Sequence, residues 1–546
     1  MTAAPEPQAT RVALNQPPEF APCDLWQADV VLREAVEREG GGDFAAQLSA
    51  YGLLAGGELY ARGFDANRDR PRLRTHDRFG QRIDRVEFHP DYHRVMEAAI
   101  EGGVAALSWS DPRPGAHVAR AALSYLHHQA EAGTSCPLTM THAAVPVLRR
   151  APALAEWAEK AIACRYDPAD APIAGKRGVT VGMGMTEKQG GSDVRANLTR
   201  ATPLIAEGEY LLSGHKWFFS APMSDGFLVL AQAPGGLSCF LLPRWRPDGA
   251  RNAFRLMRLK DKLGDWSNAS SEVEFDDAWA YRIGDEGRGV ATIIEMVMLT
   301  RLDCMLGSAA EMRMALAQAV HHARHRAAFG KRLVEHALMR NVLADLALES
   351  EAATALALRV ARAVDAAPRD AGEAAFARVA TAIGKYWICK RAPAFVNEAQ
   401  ECLGGNGYVE ESILPRLYRQ APLNSIWEGS GNIQCLDVLR ALVREPASGA
   451  ALRAELESAR GHDDAFDGAA SRLGDALAGG AVEEAGARLL VERLALALQA
   501  AMLLRGGSPV AESFCRSRLR PGCGRAFGTL PAGTDLDLPI ARTLPG

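Results

Sequence analysis

The sequence predicts a mainly α, α+β protein with an N-terminal helical domain, a small antiparallel β-domain, a four-helix bundle and an additional C-terminal helical domain. Three observations predict this order. Apolar residues recur at helical spacing over most of 1–177, short β-branched and aromatic runs between turn residues fill 178–288, and helical spacing returns over 289–445. A Pro-Ala-Ser-Gly linker then opens the fourth region, 446–546, which is rich in alanine.

Composition limits the class of protein. The 546 residues are 48% hydrophobic and 23% charged, and 62 basic against 66 acidic residues give a net charge of −4. A large core is therefore expected, and no global basic field draws the chain to nucleic acid. The ten cysteines form no C-x-x-C pair, which argues against a metal ribbon or a dense disulfide framework and favours a reducing cytoplasm. Without a signal-peptide core or a run of about 18 apolar residues, we expect neither secretion nor membrane insertion.

Helical spacing in the first region is clear at Val118, Ala122 and Leu126. An arginine-rich stretch over 62–94 interrupts it, but acidic residues alternate with the arginines and cancel their charge. We predict a solvated connector there, with a nucleic-acid patch as the less favoured alternative.

The spacing of apolar residues differs between the two central regions, 178–288 and 289–445. V-T-V-G-M-G-M, E-Y-L-L-S-G-H-K-W-F-F-S-A, G-F-L-V-L-A-Q-A, L-S-C-F-L-L-P and S-E-V-E-F-D-D-A-W predict strands of the β-domain. Helices of the bundle are expected over 290–326, 338–364, 374–403 and 432–443. The Gly/Pro-rich tail over 506–546 is the segment most expected to be partly disordered.

The most informative loop is M-T-E-K-Q-G-G-S-D-V at 185–194. It leaves a strand, turns through two glycines and offers hydroxyls and backbone amides, so it could hold a flavin edge or a phosphate. A hairpin turn or a helix start is the alternative interpretation.

Two further segments carry aromatic residues. In G-H-K-W-F-F-S-A at 214–221, a flat ring beside a small hydroxyl could cover one face of a tricyclic cofactor and donate to its N5, although a packed core strand is an equal alternative. R-A-A-F-G at 326–330 places a cation and a ring at the end of the first long helix. Cations are common at helix C-termini because of the helix dipole, so this segment alone does not indicate a binding site.

Two glycine-rich turns follow, E-C-L-G-G-N-G-Y at 401–408 and I-W-E-G-S-G-N-I at 426–433. Backbone amides at such helix ends bind phosphate oxygens. Glu428 precedes glycines and adjoins Trp427, so partly apolar surroundings could tune its carboxylate as a base. A helix-capping acid is the alternative.

Together, and in this order, the five motifs resemble the acyl-CoA dehydrogenase flavoprotein family. The 185–194 loop, the strand ending at Ser220, L-K-D-K-L-G at 259–264 and N-S-I-W-E-G-S-G-N-I at 424–433 are similar to its AidB branch, the alkylation-response members. The resemblance runs from about Asn15 through the bundle and more loosely to the C-terminus. The family's usual M-T-E-P-x-A-G-S-D and R-x-Q-F-G are here M-T-E-K-Q-G-G-S-D and R-A-A-F-G.

The resemblance implies the acyl-CoA dehydrogenase-like fold, FAD as cofactor and Glu428 as catalytic base. Ser220 would face flavin N5, and Arg326, Phe329, Gly404 and Gly405 would reach the FAD of a neighbouring subunit in a homo-oligomer, usually a tetramer. The cofactor-binding residues it implies are Met185, Thr186, Glu187, Lys188, Gln189, Gly190, Gly191, Ser192, Asp193, Val194, Phe219, Ser220, Ala221, Arg326, Phe329, Gly404, Gly405, Ile426, Trp427, Glu428, Gly429, Ser430, Gly431 and Asn432.

AidB-like proteins also bind double-stranded DNA, so the resemblance implies DNA as a partner. From residue 446 onward, eleven arginines face twelve acids, but a local patch holds Arg488, Arg493, Arg505, Arg516, Arg518, Arg520 and Arg525 against only Glu492 and Glu512. Arg516, Arg518 and Arg520 could clamp phosphates without reading bases, although a solvated arginine-rich helix end or a contact between subunits is the alternative. Arg440 could connect the flavin site to DNA, although an ion pair with Asp437 or Glu445 is as well supported.

Two functions remain open at this point. The first is an FAD-containing AidB-type protein that binds duplex DNA non-specifically and limits alkylation damage, by shielding DNA or by destroying the reagent, with residual dehydrogenase activity. The alternative is a genuine short- or branched-chain acyl-CoA dehydrogenase, acting on an isovaleryl-CoA-like substrate, with no DNA role. A scaffold in which FAD is purely structural is a third, less favoured possibility.

Overall fold

A computed structural model describes residues 14–478, 483–522, 524 and 526–544. The first region is helical, as predicted. Its helices are α1 (Val30–Arg38), α2 (Ala45–Leu54), α3 (Tyr60–Arg68), α4 (Pro90–Glu101), α5 (Leu107–Ser110), α6 (Ala116–Ala130), α7 (Ser135–Leu148) and α8 (Ala155–Ala161). Nearly every residue of α6 is buried, because this helix lies between the outer N-terminal helices and the bundle.

The arginine-rich stretch is more ordered than a solvated connector. It forms an antiparallel hairpin of β1 (Arg72–His76) and β2 (Arg82–Glu87) before α4. Its charges pair locally, as in the contact of 2.9 Å between Arg74 and Glu87. The predicted charge cancellation therefore holds, but the loop prediction misses the alternation of exposed and partly buried residues along β1 and β2.

The second region is a seven-stranded sheet of β3 (Val181–Gly184), β4 (Arg200–Pro203), β5 (Glu209–Ser220), β6 (Gly226–Ala233), β7 (Gly236–Pro243), β8 (Phe254–Leu259) and β9 (Ser270–Ile283). Most pairs are antiparallel, but β3 and β4 each pair with β6 in parallel, so the sheet is mixed. Pairing runs β6, β7, β9, β5, β4 and back to β6, so the strands close around an aromatic core containing Phe219, Phe227 and Phe254.

The third region contains four long helices at nearly the predicted places, α9 (Gly289–His325), α10 (Ala337–Ala366), α11 (Ala371–Cys402) and α13 (Gly431–Arg444). Shorter elements between them are β10 (Ala327–Ala328), β11 (Lys331–Arg332) and α12 (Leu414–Gln420). Helix α9 is buried on all sides over most of its length, which is typical of a helix at the centre of a large core. In the described part of the chain, no helix is long and apolar enough to cross a membrane.

The fourth region contains α14 (Pro446–Glu457), α15 (Asp464–Arg472), α16 (Gly474–Leu477), α17 (Ala487–Arg505), α18 (Ala511–Arg518) and α19 (Asp537–Thr543). These helices do not enclose a core of their own. One continuous apolar cluster runs from Leu25 through the bundle to Ile540, and α17 packs against α10, α11 and α13. The C-terminal helices therefore extend the bundle.

The tail contradicts the prediction of partial disorder within its described residues. Leu530 donates its backbone N–H to Asn341 at 3.0 Å, and Gly528 donates to Asp345 at 2.9 Å. Near the end, Arg542 pairs with Glu34 of α1 at 2.6 Å. The Gly/Pro-rich composition misled the prediction because these contacts come from distant helices. Arg525, part of the predicted basic patch, lies outside the described residues.

Arg518 joins the fourth region to the bundle, and its replacement tests how much this contact stabilises the fold. Its guanidinium bonds Asp345 and lies 3.2 Å from Glu349, and both carboxylates are buried on α10. Because burying a carboxylate without its partner costs about 3–5 kcal/mol, we expect Arg518→Ala to lower the free energy of unfolding by about 3 kcal/mol. Thermal unfolding should show a clearly lower Tm, whereas exposed Arg520→Ala should change stability by less than about 0.5 kcal/mol. Equal Tm values for the two variants would contradict this account.

Candidate functional site

Three loops meet where the sheet contacts the bundle. They are the loop after β3, the end of β5 and the loop between α12 and α13. Side chains from each loop, Met185, Ala221 and Trp427, pack against one apolar cluster formed with α7 and the start of α9. The structure therefore brings together three of the five sequence motifs.

The loop after β3 is held from beneath by a buried ion pair. Glu187 and Lys216 have no exposed side-chain surface and lie 2.7 Å apart. Burial alone would raise the pKa of Glu187, but Lys216 and hydrogen bonds from Thr199 and Leu198 lower it to about 2. Glu187 therefore shapes the loop and cannot contact a cofactor with its side chain, which corrects its assignment as a cofactor ligand.

Above this ion pair, most of the predicted loop residues are accessible. Thr186 is partly buried, and its carbonyl accepts a hydrogen bond from Trp217 of β5 at 2.8 Å. The side chains and backbone that line the open side belong to Lys188, Gln189, Gly190, Ser192 and Asp193, with Met185, Gly191 and Val194 partly buried. This edge offers hydroxyl and backbone donors to a ligand.

At the end of β5, a bulge decides which aromatic ring faces outward. The pairing of β5 with β9 shifts between Lys216 and Phe219, and both of these side chains are buried. Phe219 packs inside the sheet against Phe227, at 4.3 Å between ring centroids, while Phe218 is 54% exposed. The ring available to a cofactor is therefore Phe218, and the assignment of Phe219 is wrong for its side chain. Ser220 is partly buried.

The third loop holds Glu428 in a strained conformation. Glu428 has a φ of +58°, a region that non-glycine residues rarely occupy, and Gly429 follows at +95°. Arg301 donates Nε to the Glu428 carbonyl at 3.0 Å, and Lys385 donates Nζ to the carbonyls of Trp427 and Gly429 at 2.6 and 2.5 Å. Two buried cations therefore fix the backbone on both sides of the carboxylate.

The Glu428 carboxylate itself accepts a hydrogen bond of 2.7 Å from the Thr300 hydroxyl. Burial raises the pKa of Glu428, while Thr300, Lys385 and Arg301 oppose that rise. A carboxylate whose pKa lies above its ordinary value is a better base toward a carbon acid, provided that it is ionised at the working pH.

Thr300→Val removes one of the groups that favour the ionised carboxylate, so the pKa of Glu428 should rise further. A base must be deprotonated to act, and the ascending limb of the pH–rate profile should therefore move to higher pH, by about one unit for one hydrogen bond to a charged group. Single-turnover flavin reduction measured between pH 5 and 9 checks this. Thr300→Ser, which keeps the hydroxyl, is the matched control; an acid shift in Thr300→Val would contradict the assignment.

The other two motifs lie far from Glu428 in the same chain. Arg326 follows Thr300 by 26 residues at the far end of α9, which corresponds to about 39 Å along a helix. Helix α11 runs parallel to α9, because Lys385 and Thr300 both contact the Glu428 loop and, one turn further along each helix, Cys389 contacts the Cys304 carbonyl at 3.3 Å. The glycine turn that follows α11, with Gly404 and Gly405, therefore lies toward the same distant end.

These distant residues are open to a second molecule. Phe329 has a φ of +52° and is 98% exposed at the tip of the β10–β11 turn. Gly404 and Gly405 have nothing within 4 Å of the position a Cβ would take. Arg326 donates to the Asn15 carbonyl at 2.7 Å, which joins the start of the described chain to this turn.

The predicted DNA residues are less available than the sequence implies. Arg518 is fully engaged with Asp345 and Glu349, so it cannot offer its guanidinium to a phosphate in this fold. Arg516 donates to the Ala532 carbonyl at 2.5 Å. Arg520 is exposed, and Arg440 is 58% exposed at 3.7 Å from Asp437.

Sequence reasoning missed Thr300, Arg301, Lys385 and Phe218. Lys385 was detectable, because a lysine inside the apolar helical run A-T-A-I-G-K-Y-W-I-C must find a partner for its buried charge. The pairing of Thr300 and Arg301 with Glu428 spans more than 120 residues and has no local sequence signal.

A closed sheet between helical layers, with a strained glutamate loop facing a glycine-rich strand loop, defines the class of the acyl-CoA dehydrogenase-fold flavoproteins. Three family descriptions match along the chain: "Adaptive response protein AidB N-terminal domain" over 15–168, "Acyl-CoA dehydrogenase, middle domain" over 182–278 and "Acyl-CoA dehydrogenase, C-terminal domain" over 287–443.

The chain is 49% identical over 516 residues to "Putative acyl-CoA dehydrogenase AidB" of Escherichia coli (strain K12), covering 93% of this chain and 94% of that protein. It is 33% identical over 411 residues to "Acyl-CoA dehydrogenase family member 11" of Caenorhabditis elegans, and this match covers 72% of this chain and 66% of that protein. The crystal structure of C. elegans ACDH-11 in complex with C11-CoA superposes with a TM-score of 0.82 at 26% identity and covers 100% of this chain and 95% of that one. The chain therefore belongs to the AidB branch of the acyl-CoA dehydrogenase family.

The cofactor of this family is FAD, and the residues present fit it. Phe218 and Ile426 expose 54% and 63% of their surface at the site, and large exposed apolar side chains beside hydroxyls suit a flat ring. Thr186 and Ser220 supply hydroxyls, and the start of α13 offers free backbone amides because Ser430 makes no capping bond.

Proposed function

We propose that this protein catalyses the α,β-dehydrogenation of a short acyl-CoA thioester, with Glu428 as the base that removes the proton from Cα. When bound, FAD supplies the acceptor for the hydride that leaves Cβ. The single observation that carries the proposal is the Glu428 carboxylate itself, bonded to Thr300 on a loop whose backbone is pinned by Arg301 and Lys385.

The chain's own groups support each role. Glu428 sits on a rigid loop, so its carboxylate can approach a Cα proton without a large rearrangement. Thr300 and Lys385 both favour the ionised form that can accept this proton. Phe218, Ser220 and Thr186 would position the flavin ring, and the α13 amides would contact its phosphates.

We also propose that the site is completed by a second copy of the chain, as in a homotetramer. Arg326, Phe329, Gly404 and Gly405 would contact the FAD of that copy. Their distance from Glu428 along α9 and α11, and the exposure of Phe329, support a role outside their own subunit.

The direct test is anaerobic mixing of the FAD-loaded protein with butyryl-CoA or isovaleryl-CoA. We expect the flavin absorbance near its long-wavelength maximum to bleach, with formation of one enoyl-CoA per flavin. A flavin that stays oxidised with both thioesters, at concentrations where binding is measured, would refute the proposal.

Binding of duplex DNA, with protection from or detoxification of alkylating agents, is the second candidate function. The family description "Adaptive response protein" is consistent with a protective role, and the exposure of Arg440 and Arg520 supports contact with phosphates. The burial of Arg518 argues against the predicted phosphate contact by Arg516, Arg518 and Arg520 together. Contacts from the remaining arginines would be to phosphates and independent of sequence.

The DNA candidate predicts that Arg440→Ala combined with Arg520→Ala weakens binding equally for duplexes of different sequence. Each lost phosphate contact should reduce the slope of log K against log salt by about 0.9. Fluorescence anisotropy of labelled duplexes over a range of salt concentrations measures both effects. Point variants are needed because removal of 446–546 would expose the shared apolar core. Negligible, salt-independent binding by the unaltered protein would dismiss the DNA candidate.

A further inference from the structure

Beneath the candidate site lies a buried group of polar side chains that the proposed chemistry does not use. We call it the polar floor and define it as His128, Lys262, Asp265, Asn268 and Glu311. Lys262 comes from the L-K-D-K-L-G segment and the next two residues follow it, while His128 and Glu311 come from α6 and α9. The exposed fractions of Asp265, Asn268 and Glu311 are 4%, 2% and 0%.

Hydrogen bonds connect one end of the polar floor to the flavin side of the site. The Ser220 hydroxyl lies 3.2 Å from the Ser270 hydroxyl, and Lys262 donates to Ser270 at 3.2 Å. Lys262 also donates to Asp265 at 2.8 Å. Asp265 has a φ of +57°, a strained conformation that is frequent at functional sites.

The other end reaches the Glu428 loop. Trp427 donates its indole N–H to Asn424 at 2.9 Å. A Cβ built on Gly307 would meet both Asn424 and His128, at 3.1 and 2.9 Å, so these two side chains lie next to each other against the same face of α9. His128 then contacts Glu311 at 2.9 Å. One half of the polar floor therefore lies next to Ser220 and the other next to Trp427, and the two halves are close enough for the charge of Asp265 to raise the pKa of Glu311.

The polar floor contains acceptor atoms without partners. Among the described residues, Asp265 Oδ1, Asn268 Oδ1 and Glu311 Oε2 are buried and accept no hydrogen bond. Buried unsatisfied acceptors are rare in proteins and are costly, so each one favours a ligand group that can donate. Burial raises the pKa of both Asp265 and Glu311, although Lys262 and Asn268 donate to the other oxygen of Asp265 and His128 contacts the other oxygen of Glu311.

We propose that the polar floor determines acyl specificity and selects a short acyl group that carries a hydrogen-bond donor, such as a hydroxyl, over an unbranched aliphatic chain. This inference rests on the proposed dehydrogenase function, because it places the acyl group between Ser220 and Glu428. A methylene chain would leave the acceptors of Asp265, Asn268 and Glu311 unsatisfied. Sites built to bond a polar group reject analogues that lack it far more strongly than apolar pockets reject a changed chain length.

The test measures thioester binding to the FAD-loaded Glu428→Gln variant, in which turnover should not disturb the equilibrium. Butyryl-CoA, octanoyl-CoA and 4-hydroxybutyryl-CoA are titrated, and the perturbation of flavin absorbance gives each Kd. We expect 4-hydroxybutyryl-CoA to bind at least about 10-fold more tightly than butyryl-CoA, and octanoyl-CoA to bind most weakly.

Adding Glu311→Gln tests the residue assignment. A glutamine can keep its contact with His128 while its amide turns a donor toward the acyl group, so the preference for 4-hydroxybutyryl-CoA should fall to within about 2-fold of parity. Glu411→Gln, at an exposed glutamate, is the matched control and should keep the preference. Asn268→Ala is the second variant if Glu311→Gln does not fold.

The outcomes separate this inference from the proposed function. Tighter binding of butyryl-CoA or octanoyl-CoA would overturn the inference and leave the dehydrogenase function intact. A hydroxyl preference that survives both Glu311→Gln and Asn268→Ala would overturn the role of the polar floor. Failure of all three thioesters to perturb the flavin would overturn the inference together with the proposed function.

Discussion

Glu428→Gln is expected to slow thioester-dependent flavin bleaching by about 10²- to 10⁴-fold, the usual contribution of a positioned general base. Glutamine is isosteric and can still accept the hydrogen bond from Thr300. Its backbone contacts with Arg301 and Gln434 involve the carbonyl and do not change. The loop should therefore keep its shape and FAD should stay bound, so the loss is confined to proton removal from Cα.

Stopped-flow absorbance under anaerobic conditions measures this rate. Glu411→Gln serves as the control, because it makes the same chemical change at an exposed glutamate near α12. The flavin content per protein, determined after denaturation, confirms that FAD is retained. Bleaching at an undiminished rate in Glu428→Gln would eliminate this residue as the base.

Lys385→Met is expected to have the second largest effect, because it removes the cation that holds the Glu428 loop. Lys385 is 1% exposed and donates to the carbonyls of both neighbours of Glu428. Methionine fills a similar volume but cannot donate, so the Trp427 carbonyl loses this hydrogen bond, at about 1–3 kcal/mol, while the Gly429 carbonyl keeps its bond from Gln434 at 2.9 Å. The free energy of unfolding should fall by about 1–3 kcal/mol, and the bleaching rate should fall by about 10- to 100-fold as the loop loses its geometry.

A positioning role also predicts a change that lost stability alone would not produce. Lys385 favours the ionised form of Glu428, so its removal should raise the pKa of Glu428 and move the ascending pH limb to higher pH. Lys390→Met, at an exposed lysine on the same helix, is the matched control and should leave the profile in place. An unshifted profile in Lys385→Met would assign this lysine to stability alone.

Periodicity located the bundle to within a few residues. Predicted helices over 290–326 and 374–403 correspond to Gly289–His325 and Ala371–Cys402. This accuracy has a physical cause, because helical spacing sustained over about 30 residues is too long for a strand, even though α9 is buried on all sides and has no single apolar stripe. The shorter strands β4 and β8 escaped the sequence analysis, since four to six residues with charged members show little alternation.

The sequence motifs predicted which loops form the candidate site, but they did not predict the contacts within it. Order and spacing of the motifs pointed to Glu428, but not to the hydroxyl and cations that surround it, because those contacts join residues far apart in sequence. The family resemblance implied Phe219 as a flavin contact, and the sequence carries no sign of the bulge in β5 that leaves Phe218 exposed and buries Phe219.

In the C-terminal region, the excess of arginine in the sequence did not predict which arginines are exposed. The local excess of arginine suggested a DNA surface, but Arg518 and Arg505 are paired with Glu349 and Glu455 of other helices. Net charge in a sequence window does not record which partners the fold brings to each side chain. Long-range contacts of this kind also hold the described residues of the Gly/Pro-rich tail against α10 and α1.

The measurement that tests the central claim most directly is hydrogen exchange at Cα of a bound thioester. FAD-loaded protein is incubated anaerobically with butyryl-CoA in D₂O, and deuterium in the recovered thioester is determined by mass spectrometry. If Glu428 removes the Cα proton, the unaltered protein should incorporate deuterium at Cα and Glu428→Gln should not. Incorporation at equal rates in both proteins, or none in the unaltered protein, would contradict the account.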